Sequence, residues 1–420
     1  QQAGFAPTTK ASFRLDAAAA EVIADKAVTI ATEARQGPVH IDVPITVAET
    51  PATERRPRSA PAGATAPAGA TLAQAHGWLA EATRPLAVIG LDALLPGGAE
   101  ATKSFLEARQ IPFVTTYKAK GILPEDHPLC LGGAGLSPRA DSHLLPLLEA
   151  ADLILCIGYD PIEMRTGWRD AWDPRHTRVI DITPEANSHY MHQASLPLIA
   201  DLPATLAALA VAPPAAPLWS GGEIAKTQSA LADAFPHTDD WGPAGVIAQC
   251  METLPRDTLL TADSGAHRIL LSQMWKCSAP RQLVQSSGLC TMGCAVPLAM
   301  GRKLAQPDRT VVSFSGDAGF LMVAGELATA AEMGLAPIFV VFVDASLALI
   351  ELKQRQRQLP NAAVDFGHHD FAAIGRAFGG QGHRVRNRAE LTAALDAAMQ
   401  ADTFTVIAAE IDREGYDGRI

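Results

Sequence analysis

The stretch from Thr310 to Glu351 constrains the fold more than any other part of the chain. It begins with an apolar, β-rich run at Val311–Ser315, continues through a glycine-containing turn and predicts a helix over Phe320–Met333. A second apolar run follows at Ile338–Val343. A strand, a turn, a helix and a strand make a βαβ unit, and its right-handed crossover makes the two strands parallel. The sequence therefore predicts an α/β fold with doubly wound parallel sheets.

This unit places two aspartates at one edge of the predicted sheet. Asp317 lies in the turn after the first strand, between Gly316 and Gly319, and Asp344 follows the second strand. Open α/β sheets bind ligands at the carboxyl ends of their strands, and a helix start behind a glycine turn suits a phosphate. A phosphate beside two carboxylates indicates a bridging Mg²⁺. Taken singly, Asp317 is equally well explained as a turn or N-cap residue, and Asp344 is better explained as a loop aspartate after a buried strand.

The length, the charge and the cysteines of the chain limit the classes of protein to which it can belong. A chain of 420 residues predicts two to three domains. The net charge is −11 and the basic residues form no stripe, which argues against a nucleic-acid partner. No apolar run reaches the roughly 18–20 residues of a membrane span. The six cysteines form no C-x-x-C pair, so we expect free thiols in or near the core and, with no secretory signal visible, a cytoplasmic protein.

Two Pro/Ala-rich stretches without periodicity divide the chain and are predicted to be linkers. The predicted parts are a first segment at 1–47, a linker at 48–70, a central α/β domain at 71–211, a linker at 212–222 and a third domain at 223–420. The first segment offers one helix, from about Ala17 to Arg35, and one strand at Val39–Val43. Because these cannot bury a core alone, the segment is expected to be the tail of a domain whose front is missing, and the natural protein to be longer.

The central domain is predicted to be a spacer that fixes the other two. Its candidate strands are Leu86–Ile89, Phe113–Thr115, Leu153–Ile157 and Arg178–Ile182. The run from Gly132 to Gly135 comes nearest to a nucleotide fingerprint, but it is a weak match to G-x-G-x-x-G. An NAD-dependent dehydrogenase is therefore not indicated.

Several motifs in the third domain have structural explanations of their own. His267, at a predicted helix start, is by itself more typical of a surface or hinge residue, and Met292 of a core methionine. His368 and His369 lack the i, i+4 spacing of a zinc-binding face, so Asp370 is predicted to cap a helix there. The last nine residues, 412–420, are predicted to be an exposed tail.

Taken together, these motifs resemble the thiamine diphosphate (ThDP)-dependent enzyme family. Gly316-Asp317, the ELATA helix behind it and a second aspartate 27 positions after the first resemble the family's cofactor fingerprint. Ala318 stands where the family usually has glycine, and Asp344 where most members have asparagine. Aspartate at the second position is typical of the FAD-independent, catabolic acetolactate synthases. The resemblance implies a Mg²⁺ ion held by Asp317, Asp344 and the backbone carbonyl of Ser346.

The resemblance also assigns a set of site residues. The implied cofactor-binding residues are Gly265, Ala266, His267, Cys290, Met292, Gly316, Asp317, Ala318, Gly319, Asp344, Ser346, Leu347 and Ala348. Leu349 and Ile350 correspond to an apolar substrate pocket. The run Ser287-Gly288-Leu289-Cys290-Thr291-Met292-Gly293 is similar to the SGGLGTMG element, so Met292 would lie beneath the thiazolium ring and bend the cofactor. No catalytic residue is assigned, because the activating glutamate is expected in the missing front of the first segment.

The implied function is ThDP- and Mg²⁺-dependent decarboxylation of a 2-oxo acid followed by carboligation, most closely the joining of two pyruvates into 2-acetolactate with loss of CO₂. The alternatives are another 2-oxo acid decarboxylase or carboligase, and a cofactor-binding regulatory subunit without catalysis. The segment Cys156–Glu163 resembles the IGY-x-P-x-E stretch of the catabolic enzymes, so FAD is not expected. Family members share sites between subunits, which implies a homodimer or homotetramer.

Overall fold

The computed structural model describes residues 1–33, 35–52, 63–161, 164–187, 190–210, 217–286 and 289–420. Strands in these ranges form one two-stranded and two six-stranded sheets, and every pair of neighbouring strands is parallel. The predicted α/β class with doubly wound parallel sheets is confirmed. The middle of the first predicted linker and most residues of the Pro/Ala run in the second lie outside the described residues. None of the helices in the described ranges has the length and apolar character that a bilayer crossing requires.

The first segment is a small parallel unit with almost no core of its own. Its elements are α1 (Gln2–Phe5), β1 (Ala11–Arg14), α2 (Ala20–Thr32), β2 (Val39–Asp42) and α3 (Ile45–Ala48). Asp16 caps a short 3₁₀ turn before α2 by accepting a hydrogen bond from the N–H of Ala18. The helix therefore begins later and ends earlier than the sequence predicts. Ala27 is the one buried hydrophobic residue described in this segment, as expected of so few elements.

The central domain is a six-stranded sheet covered by helices. Its elements are α4 (Gly69–Glu81), β3 (Pro85–Ile89), α5 (Gly98–Arg109), β4 (Phe113–Thr116), β5 (Cys130–Ala134), α6 (Pro138–Ala150), β6 (Leu153–Ile157), β7 (Arg178–Thr183), β8 (Leu196–Ile199) and α7 (Leu202–Leu209). The strand order is β5-β4-β3-β6-β7-β8. Every residue of β3 and β6 is buried, which explains why these strands are continuous apolar runs.

The third domain has the same architecture, a six-stranded parallel sheet covered by helices, but with more helices than the central domain. Its elements are α8 (Glu223–Ala234), α9 (Pro243–Thr253), β9 (Leu259–Ala262), α10 (Ala266–Met274), β10 (Leu283–Gln285), α11 (Ala295–Ala305), β11 (Val311–Gly316), α12 (Asp317–Met322), α13 (Glu326–Glu332), β12 (Ile338–Val343), α14 (Ala348–Gln356), α15 (Phe371–Ala377), β13 (Gln381–Val385), α16 (Arg388–Met399) and β14 (Thr405–Glu410). The strand order is β10-β9-β11-β12-β14-β13. The direction of winding therefore reverses at β9 and β11, in the middle of the sheet.

The single helix predicted over Phe320–Met333 is wrong, because the chain breaks between α12 and α13. Gly325 lies at the break, and glycine is a poor helix former. The change of direction lets Phe320 of α12 and Leu327 of α13 both enter the same core, where each is fully buried. Burial of two large apolar side chains outweighs the few helical hydrogen bonds lost at the break.

The cysteines are all free, but not all of them lie in the core. Cys130, Cys156, Cys250 and Cys277 are buried, as predicted, and Cys294 is partly buried. Cys290 is exposed and adopts a left-handed backbone conformation with φ of 50°. The prediction of a core or near-core thiol is therefore wrong for Cys290, because its loop rises from the sheet edge toward solvent.

Candidate cofactor site

A cavity of about 210 Å³ lies at the carboxyl ends of β9, β11 and β12. This position is the topological switch point of the third sheet, where chains leaving neighbouring strands turn to opposite sides and leave a crevice. The loop after β9 leads directly into α10, so Ala266 and His267 bring the unpaired N–H groups of a helix first turn to the cavity. Its position therefore suits an anionic ligand.

All fifteen residues that the sequence assigns to cofactor, metal and substrate line this one cavity. They are Gly265, Ala266, His267, Cys290, Met292, Gly316, Asp317, Ala318, Gly319, Asp344, Ser346, Leu347, Ala348, Leu349 and Ile350. Ser264, Phe342 and Tyr416 line it as well and were not assigned. Residues that lie up to 85 positions apart in sequence, such as Gly265 and Ile350, thus meet at one sheet edge.

Two carboxylates line the cavity together, the buried one of Asp317 and the partly buried one of Asp344. The Oδ2 atom of Asp317 accepts hydrogen bonds from the backbone N–H groups of Asp344 and Ala345, at 3.1 and 2.7 Å, and Oδ1 accepts one from Ala318 at 2.8 Å. Ala345 makes this possible by adopting a left-handed conformation, with φ of 56°. The short loop after β12 is therefore folded around the Asp317 side chain.

Burial and mutual repulsion make this pair energetically costly without a cation. Burial raises the pKa of Asp317 despite its three backbone hydrogen bonds. Burial and the charge of Asp317 raise the pKa of Asp344 to about 8. Among the described residues, neither carboxylate forms an ion pair with a lysine or arginine. A pair of carboxylates without an ion-pair partner among the described residues fits Mg²⁺, which prefers carboxylate ligands and completes its shell with phosphate and water.

His267 presents a neutral imidazole to the cavity. Its ring is 3% exposed and stacks on Phe342 with a centroid distance of 5.4 Å. Burial, with the nearby charge of Arg268, lowers the pKa of His267 to about 3. Its Nε2 atom is buried and has no hydrogen-bond partner among the described residues. The interpretation of His267 as a surface or hinge residue is therefore wrong, and its orphaned ring atom fits a bound phosphate oxygen.

Asp263, at the end of β9, holds the loop that carries Met292. Its carboxylate is fully buried and accepts hydrogen bonds from the N–H groups of Gly293, at 2.7 Å, and Cys294, at 2.9 Å. The Ser264 hydroxyl adds a hydrogen bond to the carbonyl of Cys290, at 2.5 Å. These contacts place Met292 against the cavity, where it is partly buried rather than a fully enclosed core methionine.

The same loop carries the exposed thiol of Cys290. Burial raises the pKa of Cys290, but hydrogen bonding and charge from Arg268, together with the charge of Lys118, outweigh it and lower the pKa overall. Ser287 and Gly288, which belong to the motif around Met292, lie outside the described residues.

The C-terminal segment brings Tyr416 into the wall of the cavity, so the prediction of an exposed tail is wrong for this residue. Residues Arg413–Tyr416 form a 3₁₀ turn, and Tyr416 is 2% exposed beside the aspartate pair. Arg355 of α14 holds the segment with a double ion pair to Asp417, at 2.6 and 2.7 Å. A single large aromatic residue in a polar terminal stretch gave a weak sequence signal, because the partners that bury it come from distant parts of the chain.

Substitution of Gly319 by alanine is expected to destabilise the fold by about 2 kcal/mol. A Cβ atom at this position would overlap the Asp263 carboxylate and force it away from the loop that it holds. Gly325→Ala is the matched control, because its Cβ would meet nothing within 4 Å and its φ is an ordinary −59°. Urea unfolding of both variants measures the difference; equal midpoints would show that the Asp263 network does not constrain this turn.

Comparison with known proteins agrees with this geometry. The family model described as "Thiamine pyrophosphate enzyme, C-terminal TPP binding domain" matches residues 263–409, and "Thiamine pyrophosphate enzyme, central domain" matches residues 72–209. Thiamine pyrophosphate is another name for thiamine diphosphate. The two sheets and the cavity thus define a ThDP-binding α/β protein, and the chain belongs to the thiamine pyrophosphate enzyme family.

Its relatives within that family are acetolactate synthases. The chain is 30% identical to "Acetolactate synthase" of Bacillus subtilis (strain 168), over 78% of the chain and 58% of that protein. It is 29% identical to "Acetolactate synthase, catabolic" of Raoultella terrigena, over 97% of the chain and 74% of that protein. It is also 29% identical to "Probable acetolactate synthase large subunit" of Methanocaldococcus jannaschii, over 94% of the chain and 70% of that protein. The match therefore spans 58% of the Bacillus subtilis relative and about three quarters of the catabolic one.

Proposed function

We propose that this chain is the cofactor-binding part of an enzyme that decarboxylates a 2-oxo acid and joins the remaining fragment to a second carbonyl compound, as in the formation of 2-acetolactate from two pyruvates. The observation that carries the proposal is the pair Asp317 and Asp344 at the switch point, in one cavity with His267 and Met292. The similarity to acetolactate synthases, including a catabolic one, supports this reaction over other reactions of the family.

The carboxylates would hold the metal end of the cofactor. The metal Mg²⁺ would be bound against the diphosphate by Asp317, Asp344 and the backbone carbonyl of Ser346. In the tautomer that has its proton on Nε2, His267 would donate a hydrogen bond from this atom to the diphosphate. When bound, ThDP supplies the electron sink that decarboxylation of a 2-oxo acid requires. The residues of this chain contribute binding and orientation, and we assign none of them as a general acid or base.

The apolar wall of the cavity favours carbon–carbon bond formation over simple decarboxylation. Leu349 and Ile350, at the start of α14, line the cavity with apolar side chains. Apolar side chains at the reacting end exclude water, and a water-poor site disfavours protonation of the decarboxylated fragment. A second 2-oxo acid can then compete for it. The apolar wall therefore supports a carboligase rather than a simple decarboxylase.

A partner surface is proposed to complete the site. Ile350, which lines the cavity, is 49% exposed, and Leu289, which precedes the cavity residue Cys290 in sequence, is 94% exposed. Exposed large apolar side chains at such a site are typical of surfaces that another chain or domain covers. We therefore propose a homodimer or homotetramer with active sites shared between subunits.

The test is to purify the protein from its native source and to supply ThDP, Mg²⁺ and pyruvate. We expect CO₂ and 2-acetolactate in equal amounts, from a preparation that sediments as a dimer or tetramer. Acetaldehyde in place of 2-acetolactate would indicate a decarboxylase, and product from another 2-oxo acid alone would change the substrate. Full cofactor occupancy with no turnover of any 2-oxo acid would contradict the proposal and favour a regulatory subunit.

A further inference from the structure

Three side chains of different chemistry meet in the central domain, far in sequence from the cofactor cavity. They are the thiol of Cys156 on β6, the carboxylate of Asp181 on β7 and the imidazole of His192 in the loop after β7. One ligand atom from each lies within 4.8 Å of the other two. Thiol, carboxylate and imidazole are all metal-ligating groups, and no step of the proposed reaction uses them.

Strand register fixes two of the three. Cys156 and Asp181 are directly paired Cα partners on neighbouring parallel strands, so their side chains leave the sheet on the same face. These strands lie in the core of the domain, where Cys156 is fully buried and Asp181 is 6% exposed. The rigid sheet thus presents a sulfur and a carboxylate together without any loop rearrangement.

The third group closes over them from the loop. The side chain of His192 is 3% exposed, and its Nε2 atom lies 3.2 Å from Oδ2 of Asp181. Tyr159 and Trp172 flank the imidazole, with ring centroids 5.4 and 5.9 Å away. A nitrogen and an oxygen that bind one tetrahedral zinc ion at about 2.0–2.1 Å are about 3.3 Å apart, so this spacing fits a shared metal as well as a hydrogen bond.

One carboxylate oxygen of Asp181 has no hydrogen-bond partner among the described residues. Oδ2 of Asp181 faces His192 and the side-chain amide of Asn187, at 3.2 Å each, whereas Oδ1 is buried and accepts no hydrogen bond from the described residues. A buried carboxylate oxygen without a donor costs free energy, on the order of 1–3 kcal/mol or more. A cation bound between Asp181 and Cys156 would remove that cost.

We propose that Cys156, Asp181 and His192 form a zinc-binding site in the central domain, with water as the fourth ligand. The ligand set selects the metal, because a thiolate and an imidazole suit Zn²⁺, whereas Mg²⁺ takes oxygen ligands such as those of the Asp317–Asp344 pair. Binding replaces the thiol proton of Cys156, which leaves to solvent, and uses Nε2 of a neutral imidazole. Burial keeps this thiol protonated in the metal-free protein, since it raises the pKa of Cys156.

The site would fasten the loop after β7 to the rest of the molecule. The same loop carries Glu185 and Asn187, which accept hydrogen bonds from the backbone N–H of Arg35, at 2.6 Å, and from its guanidinium, at 2.8 Å. Arg35 also forms ion pairs with Asp92 and Asp160. Zinc bound at His192 would therefore stabilise the contact between the central domain and the first segment, which has little core of its own.

The decisive measurement is metal binding by the 420-residue chain in the absence of Mg²⁺ and ThDP. After removal of metal with a chelator, we expect one equivalent of Zn²⁺ to bind and to raise the midpoint of thermal unfolding. With Co²⁺ as the probe, we expect the near-ultraviolet charge-transfer absorption of a cobalt–thiolate bond. Absence of that absorption at one equivalent of Co²⁺, or no uptake of Zn²⁺, would overturn the proposal without bearing on the proposed enzymatic activity.

Variants assign the ligands. Cys156→Ala is expected to abolish the cobalt–thiolate band, and Asp181→Asn and His192→Gln to weaken Zn²⁺ binding at least 10-fold. Cys290→Ala is the control for the exposed thiol and Cys130→Ala for a buried thiol of the same domain; both are expected to keep the band. If the band survives in Cys156→Ala but disappears in Cys290→Ala, the metal binds elsewhere and the proposal is wrong. The spectrum of the unaltered chain with Co²⁺ decides whether the protein binds metal through a thiolate. This result stands even where a variant fails to fold.

Discussion

Asp317→Ala is expected to abolish Mg²⁺-dependent binding of ThDP, with a loss of at least about 100-fold in affinity, or about 2.8 kcal/mol. The carboxylate is proposed to contact the metal directly, and it also organises the loop that presents Asp344 and Ser346. Its removal therefore takes away one metal ligand and misplaces the others. Isothermal titration calorimetry of the chain with ThDP, with and without Mg²⁺, measures the effect.

Two comparisons make this result specific. Asp308→Ala removes an exposed aspartate that precedes β11 and is expected to leave cofactor affinity unchanged. Asp317→Asn keeps one acceptor for the backbone N–H groups but lowers the charge, so we expect it to fold like the unaltered chain and still to lose Mg²⁺ dependence. Equal affinity for ThDP with and without Mg²⁺ in the unaltered chain would contradict the metal-anchor assignment, whatever the variants do.

The site was more predictable from the sequence than the helices and strands around it. The chemistry of Asp317 and Asp344 is local: each follows a buried, mainly apolar strand, and parallel strands bring their carboxyl ends to one edge. Cys130–Ala134 was not predicted as a strand because its two glycines lower β propensity, and Leu196–Ile199 because Pro197 is tolerated only at a sheet edge, where β8 lies. These strands form because neighbouring strands and helices cover them.

Tyr416 and His267 show the limit of local reasoning about function. Their burial is decided by distant partners: Tyr416 by contacts around Ala266 and Ala348, and His267 by Phe342 of β12. A sequence pattern describes the period of a single element, whereas a cavity wall is assembled from several. The ring nitrogen of His267 without a partner is a property of the assembled site and has no sequence signature.

The contact between the central and third domains contains a fully buried ion pair, and breaking it is expected to destabilise the protein strongly. Lys120 is 2% exposed and its Nζ atom lies 2.8 Å from both carboxylate oxygens of Glu125. Glu125 also accepts a hydrogen bond from the backbone N–H of Cys277, in the third domain, at 2.8 Å, and donates its own N–H to the Cys277 carbonyl at 2.9 Å. One glutamate thus neutralises a buried lysine and joins two domains.

Glu125→Gln is expected to cost about 3–5 kcal/mol in the free energy of unfolding at neutral pH, because the charge of Lys120 is then buried without compensation. The amide keeps an acceptor for the N–H of Cys277, so the loss in the free energy of unfolding measures the effect of the missing charge. Lys120→Met combined with Glu125→Gln removes both charges and is expected to recover most of the loss. Urea unfolding of the two single variants and the double variant gives the coupling energy, and additive losses would show that the pair is not coupled.

The pH dependence of the same variant separates buried charge from lost packing. Burial lowers the pKa of Lys120, but the charge of Glu125 outweighs it and raises the pKa overall. Without that charge, burial dominates, and the folded-state pKa of Lys120 falls below the unfolded value of about 10.4. Between those two values the unfolded state binds a proton that the folded state does not, so the stability of Glu125→Gln rises with pH. The stability of the unaltered chain does not change with the titration of Lys120 in that range, since the folded-state pKa of Lys120 lies above the unfolded one there.

The neighbouring thiols do not titrate in that range either. Burial raises the pKa of Cys130 to about 12 and raises that of Cys277 further, so both thiols stay protonated. The difference in the free energy of unfolding between Glu125→Gln and the unaltered chain should therefore become smaller from pH 7 to pH 9.5. A difference that stays constant with pH would attribute the loss of stability to packing.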